Sequence, residues 1–464
     1  MFNTLITHLN DALYGYILIL ILIAGGLYFT VRTGFVQFRL FGAQINAVTE
    51  RNQSGVSSFQ ALMVSTASRV GTGNIIGVST ALCLGGFGSV FWMWIIALIG
   101  GATAFIESTL AQIYKKRGAE SSYGGPAYYI EAAFKRRWPA ILFSVFLILT
   151  YGFGFNMLAS YNLQSTFAAY SFYDPKFTPW LIGLILAAIS CYCLLGGGKR
   201  ILKVTGVLVP VMGVAYVLIA LIVILLNLPR LPEVFARIFS EAFDLQAIFG
   251  GFSGSCVMYG IKRGLFSNEA GVGSAPNASA TAEVSHPVKQ GLVQILSVFI
   301  DTILICSATA FLCMSSGVEP TEALSGAPYV QAAVSTSLGS FGPIFITVAM
   351  VLFAFTTLLG NIYYVDQCIC YILGRVPGKL FHRICYIIAS LIILLGAGLN
   401  AGLLWNIADV LMGLMTLINM PVILYLSRYA LSALKDFDRQ RKAGKDPRFR
   451  AKDIDLPHPT DYWK

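Results

Sequence analysis

Apolar residues follow one another along this chain in stretches long enough to cross a lipid bilayer. The hydrocarbon core of a bilayer is about 30 Å thick, which a helix spans with about 20 apolar residues. Eleven stretches approach or exceed this length. They predict an all-α membrane protein with eleven transmembrane helices, at residues 13–31, 59–84, 90–114, 140–165, 177–196, 201–227, 245–282, 289–314, 341–374, 380–399 and 401–430.

Two of these stretches contain glycines and polar residues that a simple membrane-spanning helix lacks. Residues 70–78 read VGTGNIIGV and directly follow Arg69. Residues 260–280 read GIKRGLFSNEAGVGSAPNASA, with four glycines, a proline and three charged side chains. Each glycine inside a helix costs about 1 kcal/mol relative to alanine, and charged groups inside a membrane tend to be functional. We therefore predict that both helices are interrupted.

The two interrupted stretches occupy matching places in the chain. With the helix at 13–31 set aside, ten stretches remain, five in residues 59–227 and five in residues 245–430, and an interrupted stretch opens each set. An odd number of crossings gives the two sets opposite orientations. This pattern is typical of transporters built from inverted repeats. It predicts a transporter domain over residues 1–430, followed by a polar, basic tail over residues 431–464.

An interrupted helix supplies the groups that hold an ion and a zwitterion. Breaking the helix frees carbonyl groups, which bind a cation such as sodium, and N–H groups, which bind a carboxylate. Glycine allows the turn and lets a ligand approach the backbone. An alternative is that Gly73 and Gly77, a G-x-x-x-G pair, serve close helix packing.

Basic residues mark one side of the membrane. The chain has a net charge of +10 and only 12% charged residues. With the amino terminus outside, all but six of the 32 Lys and Arg fall in inward loops or the tail, as the positive-inside rule requires. We expect a multi-pass protein of the cell membrane with a cytoplasmic carboxyl terminus and a solvated tail, and no binding of nucleic acid.

Catalytic and metal-binding motifs are missing from the sequence. The nine cysteines form no C-x-x-C pair and the four histidines do not cluster. No Walker A, H-E-x-x-H or G-x-S-x-G motif occurs. We expect no enzyme activity and no cofactor.

Several blocks resemble the alanine or glycine:cation symporter family. They are SRVGTGNIIGVSTALCLGGFG (68–88), YGGPAYYI (123–130), GIKRGLFSNEAGVGSAPNASATA (260–282) and QGLVQILSVFIDTILICSATA (290–310). The resemblance covers nearly the whole chain. It implies sodium-coupled import of a small neutral amino acid by a LeuT-type fold, in which a 5+5 inverted repeat follows one extra helix.

The resemblance also implies where the ligands bind. The carboxylate of the amino acid is expected at the first interruption, and its amino group and side chain at the second. The residues implied are Thr72, Gly73 and Asn74 for the first, and Phe266, Ser267 and Asn268 for the second. Sodium is expected between the carbonyls of Ala67 and Val70 and the hydroxyls of Thr356 and Thr357. Alternatively, the two threonines bond only to their own helix.

Two positions depart from the pattern typical of the family. Ala159, in NMLASYN, stands where a glutamine is typical, and Asn361, in GNIYY, where a tryptophan is typical. Both positions, with Asn156, are expected near the side chain of the substrate. The changes enlarge the site and add an amide, which makes serine, glutamine or asparagine as plausible as alanine or glycine. The alternative is compensation by Asn156 and Asn162.

Charged residues inside the membrane leave the coupling ion open. We expect Glu107 or Glu269 to neutralise Arg69 or Arg263, because an unpaired buried charge is heavily penalised. A proton relay through such acids, which also include Asp301, would instead make the protein a proton-coupled carrier. A receptor or channel that binds an amino acid without pumping it is an alternative of another class. We expect the functional unit to be a monomer.

Overall fold

Helices make up almost all of the described chain. The computed structural model describes residues 2–50, 55–118, 122–244, 255–454, 456 and 460–463. Within these ranges there is no β-strand; two isolated β-bridges join Val56 to Ala282 and Lys116 to Tyr123. The predicted all-α class is confirmed.

Twelve helices build the bundle. Eight of them, all except α2, α3, α6 and α8, are long and apolar enough to cross a membrane, counted over the described residues. The twelve are α1 (Thr4–Arg32), α2 (Ser58–Arg69), α3 (Ile76–Gly85), α4 (Gly88–Ile113), α5 (Arg137–Ala169), α6 (Thr178–Leu194), α7 (Gly197–Leu226), α8 (Cys256–Asn268), α9 (Pro287–Ser315), α10 (Phe341–Leu373), α11 (Lys379–Ala397) and α12 (Ala401–Lys442).

Shorter helices lie in the connections. They are Val36–Arg39, Phe41–Thr49, Pro126–Phe134, Leu231–Ala242, Pro276–Ser279 and Ala327–Leu338. Most helix ends lie within a few residues of the apolar stretches, but two regions differ. Of the stretch at 245–282, residues 245–254 lie outside the described part of the chain. The last helix continues to Lys442, past residue 430, because its apolar positions continue on one face.

Exposure separates the helices that face lipid from those at the centre. Helix α7 has an exposed apolar stripe at three- and four-residue spacing: Val207, Val211, Val214, Leu218, Leu221 and Leu225. Such a stripe is stable only against lipid. In contrast, every residue of 61–79 and of 260–282 is buried. The two stretches that carry the glycines and charges therefore form the centre of the bundle.

The carboxyl-terminal tail packs against the bundle, which differs from the expected solvated tail. The indole of Trp463 is buried and donates a hydrogen bond to the carbonyl of Gln112 at 2.7 Å. The Nζ of Lys115, a buried residue just after α4, lies 3.8 Å from the centre of the Tyr462 ring. Phe449 donates its N–H to the carbonyl of Ser285 at 2.9 Å. The aromatic residues of the tail explain the difference, since they find apolar and cationic partners.

We predict that Trp463→Ala releases this part of the tail and exposes Lys115. Deleting a buried tryptophan side chain costs about 3–5 kcal/mol, which exceeds the energy of a tenfold change in a local opening equilibrium. Labelling of Lys115 by an amine-reactive reagent, followed by mass spectrometry, should be at least about tenfold faster. Lys452→Ala, at an exposed position of the same tail, is the control. Equal labelling of Lys115 in both variants would show that the tail does not cover it.

Candidate functional site

The first interruption lies between α2 and α3. Helix α2 ends at Arg69, Val70 leaves the helical conformation with ψ 87°, and Gly71 is extended with φ −139°. One 3-10 turn, Thr72–Asn74, follows before α3 begins. Asn74 closes the gap, because its Oδ1 accepts the N–H of Gly71 at 2.8 Å and its own N–H bonds to the Gly71 carbonyl at 3.1 Å.

This turn changes which carbonyls have their usual helical partners. In a continuous helix the N–H of Gly71 would bond to Ala67, and that of Asn74 to Val70. Both N–H groups bond elsewhere instead, within the turn. The carbonyls of Ala67 and Val70 therefore lose their helical donors, and both belong to the predicted sodium site.

The second interruption follows α8. Glu269 adopts the left-handed conformation with φ 54°, which is costly for a residue with a side chain. Hydroxyl groups on both sides hold it there: its carboxylate accepts from Ser274 at 2.6 Å and from Ser68 at 3.3 Å. Asn268 accepts the N–H of Ala270 at 3.0 Å, and its Nδ2 is buried without a partner among the described residues.

Glycines bring the two interruptions into contact. A Cβ on Gly73 would lie 2.7 Å from the ring of Phe266, and one on Gly71 would lie 2.1 Å from Oγ1 of Thr357. Only glycine permits approaches this close. The structure thus brings together Gly73 and Phe266, both predicted substrate residues, with the predicted sodium residue Thr357 on the other side of the turn.

A buried acid joins both interruptions to α9. Asp301 lies in a π-helical turn, Phe299–Cys306, and is fully buried. Its two carboxylate oxygens accept from Asn74 Nδ2 at 2.7 Å and from Ser267 Oγ at 2.6 Å. Three oxygen-bearing side chains from three segments therefore meet at one point. The sequence showed Asp301 as an intramembrane acid, but its partners lie 227 and 34 residues away along the chain, so it was not assigned to the site.

The amides on α5 and α10 also point to the first interruption. Asn361 accepts from Ser68 Oγ at 2.8 Å and donates to Asn156 at 2.9 Å. One and a half turns further along α5, Asn162 donates to the hydroxyl of Thr72 at 3.1 Å. Ala159 lies between these two asparagines and is buried. Asn156, Asn162 and Asn361 thus form a polar surface beside the first interruption, which we call the polar wall.

Two cavities are lined by residues near the interruptions, and no described residue lines both. The first cavity, of about 530 Å³, includes Ile76, Asn162 and Arg263 in its lining. The second, of about 580 Å³, includes Thr281 and Tyr363. Asn162 donates to Thr72 of the first interruption, and Thr281 follows the second interruption along the chain. Each cavity thus has lining residues close to an interrupted segment.

Comparison with known proteins identifies the family. The family model for the sodium:alanine symporter family matches residues 1–451. The chain belongs to the sodium:alanine symporter family. The amino-acid carrier protein AlsT of Bacillus subtilis is 42% identical over 465 residues, which cover all of this chain and 98% of the relative. The probable sodium/glutamine symporter GlnT of the same organism is 43% identical, covering 95% of this chain and 91% of the relative.

A relative with lower sequence identity also matches almost the whole chain. The sodium/alanine symporter AgcS of Methanococcus maripaludis is 35% identical, covering 95% of this chain and 98% of the relative. These matches confirm the resemblance seen in the sequence. This family consists of symporters and not of enzymes, and with the long apolar helices it makes the chain a multi-pass membrane protein.

Thr356 and Thr357 of α10 differ in their surroundings. The hydroxyl of Thr356 donates to the carbonyl of Leu352 at 3.0 Å, which is the local bonding that the sequence left as an alternative. The hydroxyl of Thr357 is buried and has no partner among the described residues. An orphaned hydroxyl that faces the interruption is suited to a cation.

The charged residues of this family member pair differently from the sequence expectation. Arg263 forms an ion pair with Asp409 at 2.7 Å, not with Glu107 or Glu269. Arg69 donates to Gln294 at 2.9 Å and forms no ion pair within the described residues. The expected pairing of Arg263 is wrong because α12 places Asp409 beside α8, a contact that sequence spacing does not reveal. Arg69 acts electrostatically on the buried carboxylates of Glu107 and Glu269 without a direct ion pair.

We predict that Gly73→Ala strongly impairs amino-acid uptake. The added methyl group would overlap the Phe266 ring, and overpacking of this kind costs about 1–3 kcal/mol, so uptake at low substrate concentration should fall about tenfold. Gly206→Ala is the matched control, since a Cβ at that position of α7 would have no neighbour within 4 Å. Uptake of labelled amino acid should be normalised to the amount of protein in the membrane. Equal uptake by the two variants would contradict the proposed contact.

Proposed function

We propose that this protein imports a small neutral amino acid together with sodium by alternating access. The observation that carries the proposal is the contact between two interrupted helices, near two cavities that share no lining residue. A ligand held at that point is reached from one cavity at a time when one group of helices rocks against the other. Membership of the sodium:alanine symporter family supports both ligands.

The proposed architecture has eleven crossings in a LeuT-type arrangement. Helix α1 is the extra crossing, α2 to α7 supply five, and α8 to α12 supply five. In each set the first crossing is the interrupted one, as an inverted repeat requires. The amino terminus is outside and the carboxyl terminus is cytoplasmic, so the first cavity opens to the outside. The basic residues Lys379 and Arg383 in the second cavity agree with this orientation.

Sodium binds beside the first interruption in this proposal. Its ligands are the carbonyls of Ala67 and Val70 and the hydroxyls of Thr356 and Thr357. The lost helical donors of the two carbonyls and the orphaned hydroxyl of Thr357 support this site. Asp301 adds a negative charge to the same region, which favours a cation near Asn74 and Ser267.

The amino acid binds across the two interruptions. The backbone of Thr72, Gly73 and Asn74 holds its carboxylate, while Phe266, Ser267 and Asn268 hold its amino group and cover its side chain. The buried, unpartnered Nδ2 of Asn268 supports a polar ligand there.

The polar wall sets the substrate preference in this proposal. The amides of Asn156 and Asn361, together with the small side chain of Ala159, admit serine, glutamine or asparagine as well as alanine and glycine. Two similar proteins are named for different substrates, a probable sodium/glutamine symporter and a sodium/alanine symporter. The polar wall supports binding of a glutamine-like side chain here.

A proton is the second candidate for the coupling ion. A carboxylate as deeply buried as Asp301 can be neutralised by either a cation or a proton. One similar protein is named a sodium/proton-dependent alanine carrier. Membership of the sodium:alanine symporter family favours sodium.

We predict that uptake into proteoliposomes requires sodium and that Thr357→Val lowers the apparent affinity of the protein for sodium. With choline replacing sodium at fixed pH, the wild type should not accumulate amino acid. Thr357→Val should raise the sodium concentration at half-maximal uptake about tenfold, since losing one buried polar partner costs about 1–3 kcal/mol. Thr356→Val should act in the same direction.

The control for this experiment is Thr205→Val. Thr205 is a buried threonine of α7 whose hydroxyl bonds to the carbonyl of Ile201 at 2.9 Å, and its loss should leave the sodium dependence unchanged. Undiminished uptake in choline would contradict sodium coupling and favour the proton. Binding without accumulation would favour a receptor or channel. An unchanged sodium dependence in Thr357→Val would contradict the cation site.

We predict that Asn361→Leu shifts selectivity away from substrates with a side-chain amide. Removing the amide takes away a hydrogen-bonding group worth about 1–3 kcal/mol when its partner is buried. In a competition panel, inhibition by glutamine and asparagine should weaken about tenfold relative to inhibition by alanine. Alanine in the same protein is the internal control. An equal change for all three amino acids would show that Asn361 supports the fold and does not read the side chain.

A further inference from the structure

The first cavity carries an excess of positive charge. It is lined by α3, α5, α8 and α12, and its lining includes Lys262 and Arg263 but no Asp or Glu among the described residues. The other lining residues are neutral, and several are polar, among them Asn162, Gln164 and Asn406. A polar cavity with two cations favours an anionic group.

Arg263 keeps hydrogen-bond donors without partners. Its side chain is only 4% exposed, and its Nη2 donates to Asp409 at 2.7 Å. Its guanidinium lies 4.2 Å from the centre of the Trp405 ring, which fixes its position. Nε and Nη1 have no partner among the described residues. Since the side chain is buried and lines the cavity, these donors are suited to a ligand.

Lys262 and Arg263 share the carboxylate of Asp409. The Nζ of Lys262 lies 3.0 Å from the same oxygen of Asp409 that Arg263 contacts. Lys262 also donates to Asn10 at 2.9 Å. It is attracted electrostatically to Asp11, with which it lines a neighbouring cavity. Arg263 has no ion-pair partner other than Asp409 within the described residues. Sharing one carboxylate between two cations favours a further anionic group beside Arg263.

The cavity adjoins the interrupted helices. The guanidinium of Arg263 lies 5.8 Å from the centre of the Phe266 ring, and this ring contacts Gly73 at the first interruption. Asn162, which also lines the cavity, donates to Thr72. The Phe266 ring thus stands between Arg263 and the site where the amino acid is proposed to bind.

We propose that Arg263 holds the carboxylate of the incoming amino acid at an outer site in the first cavity, before the amino acid passes Phe266. The guanidinium offers the forked pair of donors that matches a carboxylate. The neutral amides nearby receive the amino group. This site rests on the proposed function, because its ligand is the transported amino acid, but it is separate from the site at the interruptions.

The test uses purified, full-length protein in saturating sodium and measures equilibrium binding of labelled alanine. Gly73→Ala, which narrows the inner site, should keep a weaker binding component. Arg263→Gln in that background should weaken this component about tenfold or more, as expected from the loss of charged hydrogen bonds. Alaninol and alanine amide, which lack a carboxylate, should not displace the label, whereas unlabelled alanine should.

A second variant keeps the test decisive if Arg263→Gln does not fold. Asp409→Asn removes the competing carboxylate and frees both cations, so the outer component should bind severalfold more tightly. A purely structural role of Asp409 would only weaken binding. Displacement of the label by alaninol, or weaker binding in Asp409→Asn, would overturn the proposal. Displacement by chloride at concentrations that do not affect the wild-type inner site would show an inorganic anion site and would overturn it as well.

The two proposals fail in different ways. If the wild type binds alanine in a sodium-dependent manner but Gly73→Ala binds none, the outer site is refuted and the proposed function stands. If the wild type shows no sodium-dependent binding of any amino acid, the proposed function itself is refuted.

Discussion

Peptide groups inside a lipid bilayer have no water to bond to, and this constraint governs how the chain leaves the helical conformation at two points. Both points lie where every neighbouring residue is buried, so the interruptions face protein and never lipid. Side chains replace lost helical bonds: Asn74 accepts the N–H of Gly71, and Asn268 accepts the N–H of Ala270. An interruption supported in this way can present peptide groups to a ligand without destabilising the crossing.

The contacts between the interruptions suggest how two ligands are coupled. Asn74 takes part in the first turn and also bonds to Asp301 and Ser267, so ordering of one interruption affects the other. Gly71 lies against Thr357 of the proposed sodium site, while Gly73 lies against Phe266 of the proposed substrate site. Each ligand that orders the turn between them lowers the cost of ordering it for the other. In the proposed mechanism this gives positive cooperativity between sodium and amino acid.

The sequence predicted the features that depend on local pattern. Apolar length located the long helices, and glycine with Asn74 located the first interruption, because such residues are costly in a membrane helix. Contacts between distant segments could not be predicted. Arg263 pairs with Asp409 across 146 positions, and Asp301 reaches Asn74 across 227, distances at which spacing carries no information. Aromatic residues among the basic ones of the tail, such as Trp463, were the one signal that the tail is packed.

The central claim is that the broken ends of two helices hold the ion and the amino acid together. The most direct measurement is a structure determined with saturating sodium and a bound amino acid. The account predicts density for the amino acid between Gly73 and Phe266, with sodium within about 2.5 Å of the Thr357 hydroxyl, a distance usual for oxygen ligands of a hard cation of this size. Density for the amino acid only at a place remote from both interruptions, or a continuous helix past Gly71 when ligands are bound, would contradict it.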